Sequence, residues 1–516
     1  MASRSKNSFL NIGTNVVTLM AKTILTFITR TIFIWILGKE ALGLNGLFTN
    51  ILSMLSLAEL GVGTAINFSL YKPLAQNNQK KIDALMSFYK KAYRIIGLII
   101  IVVGIIIVPF LGFFIKNINE IKDVYLIYFL YLFNTASTYF ISYKETLINA
   151  DQKKYKLYKI ELISLVVLNV IQIVILYITK NFIAYLITQF FVTFIQRIWT
   201  NIYIGKIYKN VNFNSSDRID KDDKNVIVKN VKAMFFHKIG DYCVNSTDNL
   251  IISSFIDIYM VGIYSNYLTI ITLLNNFTYM IFNNLTASLG NLVAIEGQEK
   301  KEDIFKKMNF IGYILFGFCS LMLLNLFNDF IKIWIGNDFC LNFVVVIFIV
   351  LNFYLTGMRI PSATMKSAAG LYDVDKFTPL IQSVVNLIVS IILAQKIGLL
   401  GVIIGTAISS ILLPNWQRPY LVYKHVIKKS SKDYFKNLIL FTIFICLLSI
   451  CTISINSFIK LNNNIVTFIF KSISTTVGFT IGIIICYRKT EEYNYFKDIV
   501  KKICMKLCKK GAKNEI

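Results

Sequence analysis

Apolar stretches long enough to cross a bilayer recur along the chain, broken by short polar segments. This pattern predicts about fourteen membrane-spanning helices. The first runs from Asn11 to Leu37 and the second from Gly43 to Tyr71; the third covers Ile95 to Ile115 and the fourth Val124 to Ile148. The fifth runs from Leu157 to Thr179 and the sixth from Phe182 to Ile204. Six more lie between about Val231 and Tyr423, and two close the series at Tyr434 to Ile455 and Ile465 to Tyr487. The only long charged insert surrounds SSDRIDKDDK, after the sixth span. The expected organisation is therefore an all-α integral membrane protein. An N-lobe of six spans would occupy residues 1–208, a cytoplasmic linker 209–230 and a C-lobe of six spans 231–428. Two extra spans (429–487) and a basic cytoplasmic tail (488–516) follow.

Within these apolar runs the polar positions are not random. In HKIGDYCVNSTD, the side chains of His237, Asp241, Asn245 and Asp248 are spaced by 4, 4 and 3 residues, which puts them on one helical stripe. Thr18, Lys22, Thr26 and Thr29 repeat that spacing in the first span, with Arg30 alongside. A shift of 219 residues lays Lys22 on Asp241, Thr26 on Asn245 and Arg30 on Asn249. An ionised group at the bilayer centre costs about 2.5–3.5 kcal/mol on insertion scales, so such stripes are expected to face water or one another. The shift recurs elsewhere. GLNGLFTNILSML from Gly43 resembles GIYSNYLTIITLL from Gly262, QKKIDALMSF resembles EKKEDIFKKM, and NADQKKY is echoed more weakly in SAAGLYD. An internal repeat of period about 220 with six spans per repeat is expected.

Composition fits this picture. Of 516 residues 55% are hydrophobic, and mean hydropathy is +0.60. A formal charge of +26 would suggest nucleic acid in a soluble chain, but its placement argues otherwise. With the N-terminus inside, 40 of the 54 Lys and Arg fall on one side, 8 on the other and 6 within spans. This predicts both termini in the cytoplasm and a plasma-membrane location, with no nucleic-acid partner. No cleavable signal is expected at the start. The eight cysteines show no ligand spacing and imply no disulfide framework. There is no Walker-type loop, zinc signature or Ser/His/Asp arrangement, so an enzyme is not expected.

The candidate residues follow. Lys22, Arg30, Lys238, Arg359 and Arg197 would line a cavity and hold an anionic head group; phosphate or pyrophosphate suits guanidinium forks. Snorkelling from span ends competes for Arg197 and Arg359. Asp241, Asp248 and Glu59, with Glu161 behind them, would couple transport to Na+ or H+ or merely neutralise these cations. His237 would be a protonation switch or a packing residue. Gly61 and Gly63 beside Glu59 would serve close packing or a hinge. Asn266, Tyr267, Asn275, Asn276, Asn283 and Asn284 on the eighth span would bond sugar hydroxyls or neighbouring helices. No cofactor is implied.

The segment Ala41 to Ala75, ALGLNGLFTNILSMLSLAELGVGTAINFSLYKPLA, closely resembles the start of Wzx-type polysaccharide repeat-unit flippases. These belong to the multidrug/oligosaccharidyl-lipid/polysaccharide exporter superfamily. The likeness continues through the QKK loop and YKETLINADQKKY, and the span layout extends it over the chain. It implies a MATE-like pair of lobes around a cationic cavity, moving undecaprenyl-pyrophosphate-linked glycans between leaflets by alternating access. Association with polysaccharide assembly proteins is implied as well. The related lipid II flippases use cavity arginines on the first, second and eighth spans. Here only the first-span charge carries over, as Arg30 with Lys22; the second span offers Glu59. The rival expectations are a cation-coupled drug exporter, which would have twelve spans, and a membrane glycan polymerase or ligase, which needs a sizeable external loop.

Overall fold

The computed structural model describes all residues except 1, 60–61, 116–117, 119–120, 216–218, 221–223, 226, 229–230, 232–241, 243–246, 284, 372–373, 460 and 512–516. Inside helices, the side chains at 2–13, 15–16, 58, 64–65, 68, 287, 294, 503–504 and 506–511 are likewise left aside. Every regular element among the described residues is helical. In chain order the α-helices longer than one turn are α1 (Ala2–Leu55), α2 (Val62–Ala75), α3 (Gln79–Ile107), α4 (Val124–Ile141), α5 (Glu145–Ala150), α6 (Tyr158–Thr179) and α7 (Phe182–Ile207). There follow α8 (Ile258–Asn283), α9 (Thr286–Ile295), α10 (Gln298–Ile335), α11 (Phe343–Met358), α12 (Ile360–Ala368), α13 (Thr378–Ile397) and α14 (Leu399–Leu412). The last are α15 (Pro414–Val422), α16 (Lys432–Ser457), α17 (Asn464–Tyr487) and α18 (Glu491–Gly511).

Twelve helices among the described residues are long and apolar enough to cross a membrane. The difference from about fourteen has two sources. Gly38 adopts φ 77°, ψ −164° inside α1, a conformation other residues rarely take, and the chain turns there. The predicted first and second spans are thus the two arms of α1, the second continuing through a 3-10 turn (Ser56–Glu59) into α2. The predicted seventh span falls mostly outside the described residues.

The chain divides into two compact units, Met1–Ser265 and Asn266–Ile516. In the first, α1 packs on α6 and α4, and α4 packs on α3 and α7. Described residues between 211 and 227 pack on the α2–α3 end of this unit. Ser87 Oγ donates to the Ser215 carbonyl (2.9 Å), Asn212 N–H to Asp83 Oδ1 (3.1 Å), and Ile227 joins the core around Leu85, Met86 and Tyr89.

The second arm of α1 crosses the start of α8 with almost no separation. A Cβ at Gly43 would overlap the Ile258 carbonyl oxygen, and one at Gly262 would overlap the Lys39 carbonyl oxygen. Lys39 and Ile258 are 219 residues apart, as are Gly43 and Gly262. Each glycine therefore meets the residue four positions before the other, the reciprocal pattern of a two-fold contact. This is the offset found between the polar stripes, and it supports the internal repeat.

In the second unit α10 is the hub, packed by α11, α16, α17 and α18. Polar groups lie inside the bundle. Asn456 Nδ2 donates to Asn325 Oδ1 (2.8 Å) and Thr475 Oγ1 (3.0 Å), and Lys471 pairs with Asp329 (2.7 Å). Ile439, Ile443, Leu447 and Ile450 are exposed on the outer side of α16. Apolar outside with polar bonds between helices is the arrangement a bilayer demands. Together these bonds bind α16 and α17, the two additional predicted spans, to α10.

Lys366 and Asp375 form a buried ion pair beside α12. Leaving one buried charge alone costs about 3–5 kcal/mol, while replacing both partners by apolar groups is close to neutral. Lys366→Met is therefore expected to lower the melting temperature of purified protein sharply, and the Lys366→Met/Asp375→Leu pair to restore most of it.

Candidate functional site

The site with the most developed chemistry lies in the first unit, on the membrane part of α1. Thr29 is buried, and its hydroxyl donates to Asn169 Oδ1 on α6 (2.6 Å). One residue on, a half-buried Arg30 donates from Nη2 to Ser265 Oγ (2.8 Å). Ser265 is fixed in turn by the Gly262 carbonyl (2.8 Å). Tyr185 interacts electrostatically with Arg30 and hydrogen-bonds Gln172; its ring meets Phe33 edge-on at 5.0 Å. Tyr131 donates to Asn45 Oδ1 on the second arm of α1. Arg30 thus bonds the Ser265 hydroxyl and lies beside the Tyr185 phenol, within the apolar run of α1. A guanidinium fork is matched in shape to oxyanions such as phosphate.

A second feature is an aromatic enclosure for Glu59. The carboxylate ends the 3-10 turn between α1 and α2 and accepts from Tyr93 Oη (2.9 Å). The Tyr93 and Tyr89 rings stand 4.2 Å apart, and Thr146 donates to Tyr89 Oη (3.0 Å). Gly63 leaves room for this: a Cβ there would sit 2.6 Å from Glu59 Oε1 and 2.9 Å from Tyr89 Oη. Glu59 forms no ion pair among the described residues.

The other expected residues are placed as follows. Lys22 and Thr26 are exposed on α1, whereas Thr29 of the same stripe turns into the α6 contact. Arg197 donates from Nη1 to the Asn134 carbonyl (3.0 Å), Asn134 Oδ1 (3.1 Å) and Ser137 Oγ (2.6 Å), so it fastens α7 to α4. Asp248 is buried and interacts electrostatically with Tyr264. In the second unit Arg359 ends α11 and reaches Asn415 Oδ1 and Thr356 Oγ1, both at 3.5 Å. Tyr267 bonds Asn328 (2.5 Å) and the Leu341 N–H (2.8 Å), the helix-joining role. His237, Lys238, Asp241, Asn245, Gly61 and Asn284 lie outside the described residues. Sequence reading missed Asn169, Gln172, Tyr185, Tyr131 and Ser265. The Asn169–Gln172 spacing on α6 was a usable signal, since it places two amides on one face of an apolar helix.

No known family profile matches the chain, and no curated protein matches it by sequence. Solved structures do. The lipid II flippase MurJ in an inward closed conformation matches at TM-score 0.63 and 17% identity, covering 91% of this chain and 99% of that one. An inward-facing multidrug resistance MATE family transporter of the MOP superfamily matches at 0.60 and 16%, over 80% and 96%. A mutant of the Vibrio cholerae MATE transporter VcmN matches at 0.56 and 12%, over 83% and 99%. The chain is an all-helical membrane protein with the MATE-like fold shared by these structures.

Proposed function

We propose that this chain is a flippase. It carries undecaprenyl-pyrophosphate-linked oligosaccharide repeat units across the bacterial cytoplasmic membrane, for assembly of a surface polysaccharide, by alternating access. The observation that carries this reading is Arg30, a guanidinium held by Ser265 in the membrane part of the first helix. The diphosphate of the lipid carrier is its natural partner, with the exposed Lys22 as a further cationic contact; Arg359 of the second unit is kept as a candidate in its own right. Lys238 is proposed with them. Arg197, spent on α4, is assigned to holding the bundle. The lipid II flippase likeness reaches over more of this chain than the MATE likenesses do, which supports a lipid-linked cargo over a soluble drug. Polysaccharide assembly proteins are the proposed partners.

The test is reconstitution into vesicles bearing a fluorescent polyprenyl-pyrophosphate oligosaccharide on one leaflet. Appearance of the label on the other leaflet supports the reading. Export of a dye cation such as ethidium with no glycan movement would favour the exporter instead.

Glu59 is the proposed coupling group, with Asp241 and Asp248 as the other acidic candidates. Glu59→Gln keeps the shape and the Tyr93 contact but cannot ionise. The expected result is normal melting, with transport that no longer responds to an imposed pH gradient. A full response in that variant would remove Glu59 from coupling.

A further inference from the structure

The second unit holds a cavity that the transport reading does not use. It lies where α10, the turn Tyr423–Ile427, α16 and the end of α17 meet, next to the start of α18. Its volume is about 140 Å³, several times the roughly 30 Å³ a water occupies in the liquid. Four phenol rings line it: Tyr313, Tyr423, Tyr434 and Tyr487. Three are buried, and they are braced by neighbouring rings: Tyr313 stacks on Phe441 at 4.8 Å, and Tyr434 on Phe305 at 6.1 Å.

Asn309 lines the same cavity and is 3% exposed. Its Nδ2 donates to the Phe305 carbonyl (2.7 Å), while its Oδ1 is buried with no hydrogen-bond partner among the described residues. A buried acceptor left unmade costs about 1–3 kcal/mol, so the cavity calls for a donor. The surrounding charge decides which kind. Glu299, Glu302, Asp303, Glu491 and Glu492 line the adjoining mouth with Lys306 and Lys429; Asp303 is paired with Lys307 (2.6 Å), and Lys306, which also lines the cavity, is tied to Glu302. Glu302 binds both Lys306 and Lys429, at 2.8 and 2.6 Å. Among the described residues, Glu299, Glu491 and Glu492 form no ion pair. Anions are repelled from such an entrance, and the faces of phenol rings attract cations.

We propose that this cavity binds a protonated primary amine: the ammonium lies against the tyrosine faces, donates one N–H to Asn309 Oδ1, and is drawn in by Glu492 and the acidic mouth. The amine can come from a free small molecule or from the head group of an aminolipid, since the chemistry is the same. Either way the site belongs to the second unit and asks for a ligand opposite in charge to the one proposed for Arg30.

The experiment is calorimetric titration of the full chain in nanodiscs of phosphatidylglycerol with ethylammonium chloride. Ethanol is the uncharged counterpart, and sodium chloride holds ionic strength constant. Ethylammonium is expected to bind and ethanol not to. Asn309→Leu and Tyr487→Leu are each expected to weaken binding roughly fivefold or more. Melting temperature monitors the fold, and the half-buried Tyr487 gives a second variant should Asn309→Leu fail to fold. Repeating the titration in nanodiscs containing phosphatidylethanolamine separates the sources. Competition that weakens ethylammonium binding assigns the site to the lipid head group, and unchanged affinity assigns it to a free amine. Equal binding of ethanol, no binding of ethylammonium, or full affinity in both folded variants would overturn the proposal and leave a water-filled cavity.

Discussion

Arg30→Ala is expected to reduce translocation of a polyprenyl-pyrophosphate glycan by about ten- to a hundredfold while leaving the protein folded. The size follows from the interaction lost: a hydrogen bond to a charged group contributes about 1.5–3 kcal/mol, and each 1.4 kcal/mol is tenfold. The fold survives because Arg30 is half-buried and its neighbour Thr29, not Arg30, makes the buried α1–α6 bond. Arg30→Lys keeps the charge but loses the planar fork, so its transport should fall between the two. Ser265→Ala removes the hydroxyl that accepts from the guanidinium and donates to the Gly262 carbonyl. Its expected signature is a weaker apparent affinity for the lipid with a smaller change in maximal rate. Transport in Arg30→Ala equal to the parent, in protein of unchanged melting temperature, would remove this residue from the mechanism.

The second large effect concerns the glycine crossing. Gly43→Ala and Gly262→Ala each place a methyl group on a backbone carbonyl, of Ile258 and Lys39 respectively. Backbone cannot rotate aside as a side chain can, so the helices must part, at a cost of about 1–3 kcal/mol for each substitution. Both variants should melt lower than the parent, by similar amounts, although they lie 219 residues apart in sequence. The double variant should cost less than the sum, because the first separation makes room for the second methyl. Gly46→Ala is the control: its methyl would meet the Val261 side chain at 3.3 Å, which can yield. Differential scanning of purified protein reads all four. Unequal effects at Gly43 and Gly262 would count against the reciprocity of this crossing.

Much of this architecture was legible in the sequence because bilayer solvation is a harsh selector. Runs of apolar residues must be helices there, so the described spans from α3 to α17 fall where hydropathy puts them. The sequence match of Gly43 with Gly262 also reappears, as a reciprocal close contact. Side-chain direction was not. Thr29 shares a stripe with Lys22 and Thr26, yet it turns to Asn169 while they stay exposed, because the partner helix covers only part of that stripe. Lys366 reads as a loop lysine placed by membrane topology, and the structure buries it against Asp375. The tyrosine cavity could not be read at all. Its rings come from four separate segments, between Tyr313 and Tyr487, and no local periodicity connects them.

The most direct measurement is a comparison of two cargoes in one reconstituted system: the same fluorescent oligosaccharide on polyprenyl pyrophosphate and on uncharged polyprenol. The pyrophosphate-linked glycan is expected to move at a rate that falls in Arg30→Ala, and the neutral one to move little with or without that arginine. Equal transport of both cargoes, or movement of neither, would contradict a flippase that grips its lipid by the diphosphate.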